Sequence, residues 1–325
     1  MQGPSGTGKS TAVRGLAELL PEIEVVADCP FSCDPDLREA QCQTCRERSE
    51  LPRVRRPRRF VNLPLNATED RVAGAVDIAR ALREGVKALE PGVLADANRG
   101  ILYIDEINLL DDHLVDILLD AAALSVNVVE REGVSLEHPA RFLLVGTMNP
   151  EEGELRPQIA DRIGLRVDVD AIARPAARAE VTRRREAFTA DPEAFLAAWA
   201  RPQAELAERV ADAEELVRAA RVPEQLYGAI ARLVVRLGVE SHRGDVVVLE
   251  CAKALAALDG RSEPGRGDVV EAAELALGHR LPFDPFEPAP QIDQQQVRRI
   301  LEDVFDAEAG EKKAPSPAAP GSRPS

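Results

Sequence analysis

The chain has 325 residues, enough for about two domains with separate cores. Hydrophobic residues at 45% and charged residues at 30% are ordinary for a globular protein in water, and only 3% are aromatic, which leaves packing to aliphatic side chains. A formal charge of −15 works against non-specific attraction to nucleic acid or anionic membrane, and no apolar run approaches the roughly 18 residues of a membrane span, so the expectation is a cytoplasmic chain with no nucleic-acid partner.

"GPSGTGKST", residues 3–11, comes first. Gly3, Gly8, Lys9 and Ser10 fit G-x-x-x-x-G-K-[ST], and the whole loop is a candidate ATP cradle: Gly3, Pro4, Ser5, Gly6, Thr7, Gly8, Lys9, Ser10 and Thr11. Its glycines let backbone N–H groups wrap the β-phosphate. Lys9 supplies charge to the β- and γ-phosphates, and the Ser10 hydroxyl is placed to ligate Mg²⁺. Folds of this kind deliver the chain to the loop on a buried strand, whereas only Met1 and Gln2 precede it here. The expectation is that a leading segment is missing and that a chain starting at Met1 binds ATP poorly.

"STAVRGLAELL" reads as a helix with its N-terminus on the phosphates, and "IEVVAD" (23–28) as a strand. The stretch that follows reads as loop and holds Cys29-x3-Cys33-x8-Cys42-x2-Cys45, four thiols within seventeen residues. Two readings stay open: a structural Zn²⁺ (or Fe–S) site, and reduced, unligated thiols. "RVRRPRRF", with Arg53, Arg55, Arg56, Arg58 and Arg59, reads as a loop that docks on an acidic partner or subunit.

Residues 69–85 have amphipathic helical spacing. "GILYIDEIN" (100–108) is a buried strand running into acids, and 109–124 is a helix. Asp105 would hold Mg²⁺ and Glu106 would polarise the attacking water, because a central strand carries such acids to the carboxyl edge of its sheet. Residues 126–150 divide into a hairpin about Glu132-Gly133 and a third apolar strand. That strand ends in Asn149, whose amide is a candidate to orient water or contact the γ-phosphate. Strand signals stop near 175, and helices are expected at 176–189, 191–220, 223–239, 243–259 and 267–280.

The predicted fold class is α/β: a three-layer αβα P-loop domain with a parallel sheet over residues 1–174, then a smaller all-α lid over 175–282. Residues 283–325 form an extension without order from about 307. His113, His138, His242 and His279 share no ligand spacing, and Cys251 lies on an apolar helical face as a core residue.

The order and spacing of these motifs resemble the AAA+ ATPases. "LYIDEINLLDDHLVDILLD", "NVVEREGVSLEHPARFLLVGTMNPEEGELRPQIADRIGL" and "RGDVVVLECAKALAAL" narrow the resemblance to the ATPase (I) subunits of magnesium chelatase, over nearly the whole chain to about residue 282. The resemblance implies a homo-oligomeric ring, a hexamer by family precedent, with ATP between neighbouring subunits. Arg162 matches the arginine finger that reaches a neighbour's γ-phosphate, with Asp161 beside it, and Arg243 matches the sensor-2 arginine. The implied work is ATP-driven insertion of Mg²⁺ into protoporphyrin IX, together with a D-type subunit carrying a von Willebrand-type domain and a large porphyrin-binding H-type subunit. A cobalt chelatase of cobalamin synthesis and a MoxR-like remodelling chaperone are the alternatives.

Overall fold

The computed structural model describes residues 1–76, 89–131, 134–153, 155–281 and 292–311. Contacts divide the chain into two compact units, Met1–Asp212 and Ala213–Ser325. Among the described residues no helix is long and apolar enough to cross a membrane.

In the first unit, helix α1 (Lys9–Leu19) grows directly out of the glycine-rich loop. Strand β1 (Ile23–Val26) follows but stays outside the main sheet, pairing antiparallel with β2 (Arg53–Arg56). The basic run expected as a loop is therefore partly a strand, and two of its arginines, Arg53 and Arg59, pair with carboxylates inside the chain. Arg53 bonds Glu24 and Asp36, Arg56 bonds the Ser32 hydroxyl, and Arg59 bonds Asp96. Between β1 and β2 the chain makes a 3₁₀ turn at Arg38–Ala40 and the one-turn helix α2 (Gln43–Arg46).

The main sheet has the order β3-β6-β9, every pair parallel: β3 (Phe60–Leu63), β6 (Ile101–Ile104) and β9 (Leu143–Gly146). All four residues of β6 are buried, as a strand with neighbours at both edges and cover on both faces requires. Gln2 adds isolated parallel bridges to Met148 and Asp168, so the approach to the loop runs beside the end of β9.

The helix expected over 69–85 stops early. It is α3 (Glu69–Ala73), after which Gly74–Val76 forms β4, antiparallel to β5 (Leu89–Pro91). Gly74 explains the break: it takes φ 95, and an added Cβ would lie 2.7 Å from the Glu90 carbonyl oxygen. The rest of the expected helix falls on 77–88, outside the described residues. Helix α4 (Val93–Ala97) precedes β6, and α5 (Asp112–Leu124) follows it, capped by the Asp111 carboxylate accepting from His113 N. β7 (Val126–Arg131) and β8 (Val134–Pro139) form the expected hairpin, whose turn at Glu132-Gly133 lies outside the described residues. Helices α6 (Pro157–Arg162), α7 (Pro175–Ala190) and α8 (Pro192–Arg218) complete the order, α8 running across the division between the units. Leu63, Leu94, Leu102, Ile104, Leu118 and Met148 lie in the core that joins the sheet to α4 and α5.

In the second unit, α9 (Glu224–Arg236), α10 (Arg243–Leu258), α11 (Arg266–Leu277) and α12 (Gln294–Glu311) enclose a core of Leu, Val and many alanines. Small residues such as Ala252, Ala272, Ala273 and Ala276 bring α10 and α11 close. Helix α12 had no counterpart in the sequence expectations. It contributes Val297, Leu301 and Val304 to that core and runs to Glu311, past the point near 307 from which no order is expected; 312–325 lie outside the described residues. Cys251 is buried in this core, as expected of a structural cysteine.

Candidate active site

A cleft of about 330 Å³ opens at the carboxyl edge of the main sheet. Its lining runs from Ser5 to Thr11, then takes Asp105 and Glu106 from the end of β6 and Thr147, Met148 and Asn149 from the end of β9. Three segments far apart in sequence meet there because β6 and β9 are parallel neighbours, so their carboxyl ends emerge side by side.

The loop has the geometry of an anion cradle. Gly6 and Gly8 take φ 76 and 86, and an added Cβ on either meets nothing within 4 Å. Glycine at Gly8 therefore serves backbone conformation: it turns the chain through the left-handed region into α1, aiming the first N–H groups of the helix at the cleft. Lys9 Nζ donates to the Gly3 and Pro4 carbonyl oxygens, at 2.7 and 2.8 Å.

Asp105 is held by hydroxyl groups that all donate to one oxygen, Oδ1: Thr147 at 2.6 Å, Tyr103 at 2.8 Å and Ser10 at 3.5 Å. Thr147 above all, then Tyr103 and Ser10, hold the carboxyl below its usual pKa range, overcoming the opposing effect of burial. Desolvation pushes the Tyr103 phenol upward, which keeps it a donor. Glu106 sits at φ 56, ψ 54, where β6 turns sharply into a 3₁₀ turn at Ile107–Leu109. Its N–H contacts Thr147 Oγ1 at 3.4 Å, and the next N–H, of Ile107, donates to the Thr147 carbonyl at 2.9 Å. Asn149 is buried at the cleft edge, its side-chain oxygen accepting from Glu151 N.

The donor set fits a magnesium-bound triphosphate: backbone N–H groups and an ammonium for phosphate oxygens, and a hydroxyl beside a low-pKa carboxylate for a hard cation. Comparison with known proteins follows the same line. The family described as magnesium chelatase, subunit ChlI, matches residues 74–162, and an AAA lid domain matches 228–304. A magnesium-chelatase subunit ChlI homolog of Methanocaldococcus jannaschii is 52% identical over 93% of this chain and 82% of its own length. This chain belongs to the magnesium-chelatase ChlI family.

The ChlI subunit of Anabaena variabilis is 46% identical over 95% of this chain and 92% of its own. A crystal structure from Cytophaga hutchinsonii, at 17% identity, superposes with a TM-score of 0.55 over 94% of this chain and 83% of that one, which speaks to the fold alone. The ChlI-family chain is thus an AAA+ α/β protein with a helical lid domain.

Of the residues singled out from sequence, the loop from Ser5 to Thr11, Asp105, Glu106 and Asn149 meet in this one cleft, with Gly3 and Pro4 just behind Lys9. Arg162 does not line it. It is the last residue of α6 and pairs with Asp120 of α5 at 2.7 Å. Arg243 opens α10 in the second unit. Cys29, Cys33, Cys42 and Cys45 gather elsewhere, their four Sγ atoms within 4.8 Å of one another. His113 meets Glu69, and His138 is buried, stacked on Phe31.

Thr147 and Tyr103 went unnoticed in the sequence. Tyr103 carried a usable signal, since it lies two residues before Asp105 and so shares its face of the strand. Thr147 carried none, a threonine near a strand end being unremarkable.

Proposed function

We propose that this chain hydrolyses ATP as one subunit of an AAA+ ring and couples that hydrolysis to insertion of Mg²⁺ into protoporphyrin IX by partner subunits. The observation that carries the proposal is the joining, in one cleft, of the glycine-rich loop with Asp105 and Glu106. ATP and Mg²⁺ are the cofactors, and the four-cysteine cluster plays no part in this chemistry.

In this mechanism Ser10 and Asp105 would hold the nucleotide's Mg²⁺, which would supply neutralisation of the phosphate charge. Lys9 exchanges its bonds to Gly3 and Pro4 for phosphate oxygens. Glu106 accepts a proton from the attacking water and orients it, and Asn149 contacts the γ-phosphate or that water. Arg162 of the neighbouring subunit completes the site by offsetting charge as the phosphate bond breaks. Arg243 reports nucleotide state from the lid. Hydrolysis is thereby tied to assembly, since one chain supplies the phosphate grip and the next supplies the finger.

The proposed assembly is a hexameric homo-oligomeric ring in the cytoplasm, acting with a D-type subunit and an H-type subunit that binds the porphyrin. The names borne by the relatives favour magnesium over cobalt, and over a chaperone role. Reconstitution tests this: chain, D- and H-type subunits, ATP, Mg²⁺ and protoporphyrin IX should give ATP-dependent formation of the magnesium porphyrin, read by its fluorescence. ATP hydrolysis that never becomes coupled to metal insertion would overturn the chelatase assignment.

A further inference from the structure

We infer that Cys29, Cys33, Cys42 and Cys45 bind one structural Zn²⁺, which staples the excursion between β1 and β2 and braces the β7–β8 hairpin. The site is separate from the nucleotide cleft, so the inference stands or falls independently of the proposed ATPase.

Geometry is the first support. A zinc–sulfur bond of about 2.3 Å at tetrahedral angles sets sulfur–sulfur edges near 3.8 Å. The four Sγ atoms all lie within 4.8 Å of one another, and Cys29 and Cys42 are 3.8 Å apart. Cys42 N donates to Cys33 Sγ at 3.1 Å, the backbone contact that steadies a thiolate in a metal knuckle. An iron–sulfur cube carries its thiolates on the outside of a cage and would hold them further apart than one ion does.

Burial and composition point the same way. All four cysteines are buried, Cys33 completely, which describes a closed structural shell without an open coordination position. Residues 27–52 contain one 3₁₀ turn and one turn of helix, and among the described residues Val26, Phe31 and Leu51 are the other hydrophobic residues packed with the cysteines. So little apolar surface does not order a segment of this length, and small, core-poor scaffolds rely on metals or disulfides instead. The cysteines here are free.

The staple has somewhere to transmit its order. Phe31, between two of the cysteines, stacks on His138 of β8 with ring centroids 5.0 Å apart, and its carbonyl accepts from Asn98 Nδ2 at 2.6 Å. Arg46, beside Cys45, pairs with Glu137 of β8 at 3.2 Å. A four-sulfur shell also holds its ion too firmly to release it, so this metal is not the cargo of the chelatase reaction.

Elemental analysis of the full chain, purified without chelator, decides the matter: one zinc per chain is expected. X-ray absorption should show four sulfur neighbours at about 2.3 Å. The Cys42→Ser/Cys45→Ser double variant should lose the zinc and be cut by protease within 27–52, while Cys251→Ser keeps both the zinc and the protection. Wild-type chain that is folded by circular dichroism yet holds no zinc, one that carries iron instead, or retention of zinc by the double variant would each overturn the inference. The wild-type measurement stands even if the double variant fails to fold.

Discussion

Glu106 occupies a left-handed conformation that side chains other than glycine and asparagine rarely adopt, at a local cost of about 1–3 kcal/mol. The turn is imposed by the Ile107 N–H bond to Thr147 and sets the carboxylate at the cleft rather than continuing the strand. Glu106→Gln keeps shape and polarity while removing the proposed base. It should leave ATP binding near wild type and lower turnover by about 10²–10⁴-fold, in a filter-binding and phosphate-release pair of assays. Thr147→Val keeps the β-branched shape and removes the closest donor to Asp105. Hydrolysis should fall about tenfold or more, with a higher Mg²⁺ concentration needed for half-maximal rate; an unchanged Mg²⁺ dependence would remove Thr147 from the site. The loop, Asp105 and Glu106 were legible in sequence because each is a rare residue pattern at a fixed place relative to an element. Thr147 was not, because its importance lies entirely in the register between two strands.

The elements were read well where periodicity ran unbroken, as in α1, α5, β7, β8 and the helices from α7 to α11, and badly where one residue or pairing overrode it. Helical spacing continues through Gly74, but the backbone there cannot. Arginines made β2 look like loop, although a strand whose partner presents Glu24 can carry them. The hairpin has its own pH signature. His138 is buried between Asn127 and Phe31, with Nδ1 bonded to the Pro139 carbonyl, and burial pushes its pKa down. The folded chain therefore refuses a proton that the unfolded chain accepts. Stability is full above the unfolded imidazole value of about 6.5 and declines below it, by at most about 1.4 kcal/mol per pH unit from this group. Melting temperatures between pH 8 and 5.5 should fall more steeply for wild type than for His138→Gln; equal slopes would contradict the assignment.

On the scale of the whole molecule, the sequence conveyed an α/β part followed by a helical part, but missed how the last piece is secured. Val297, Leu301 and Val304 recur at helical spacing among glutamines and charges, a signal hidden by the polar composition of α12. The proposed ring leaves a sharper test. If Arg162 serves the neighbouring site, Arg162→Ala and Glu106→Gln chains are each inactive alone but complement when mixed. A random mixture places an intact Glu106 against an intact Arg162 at about one interface in four, so activity should recover to roughly a quarter of wild type. No recovery on mixing would mean that the arginine acts within its own chain or not at all.

The three hydroxyls that converge on Asp105 share a single acceptor, and among the described residues Oδ2 receives none of them. The carboxylate is therefore keyed. In Asp105→Asn the carbonyl must turn toward those donors, which swings the amide nitrogen, a donor with no lone pair to offer, into the place left for a cation. The near-isosteric change should abolish magnesium-dependent hydrolysis as fully as Asp105→Ala does, and a partly active Asn variant would mean the key can be turned.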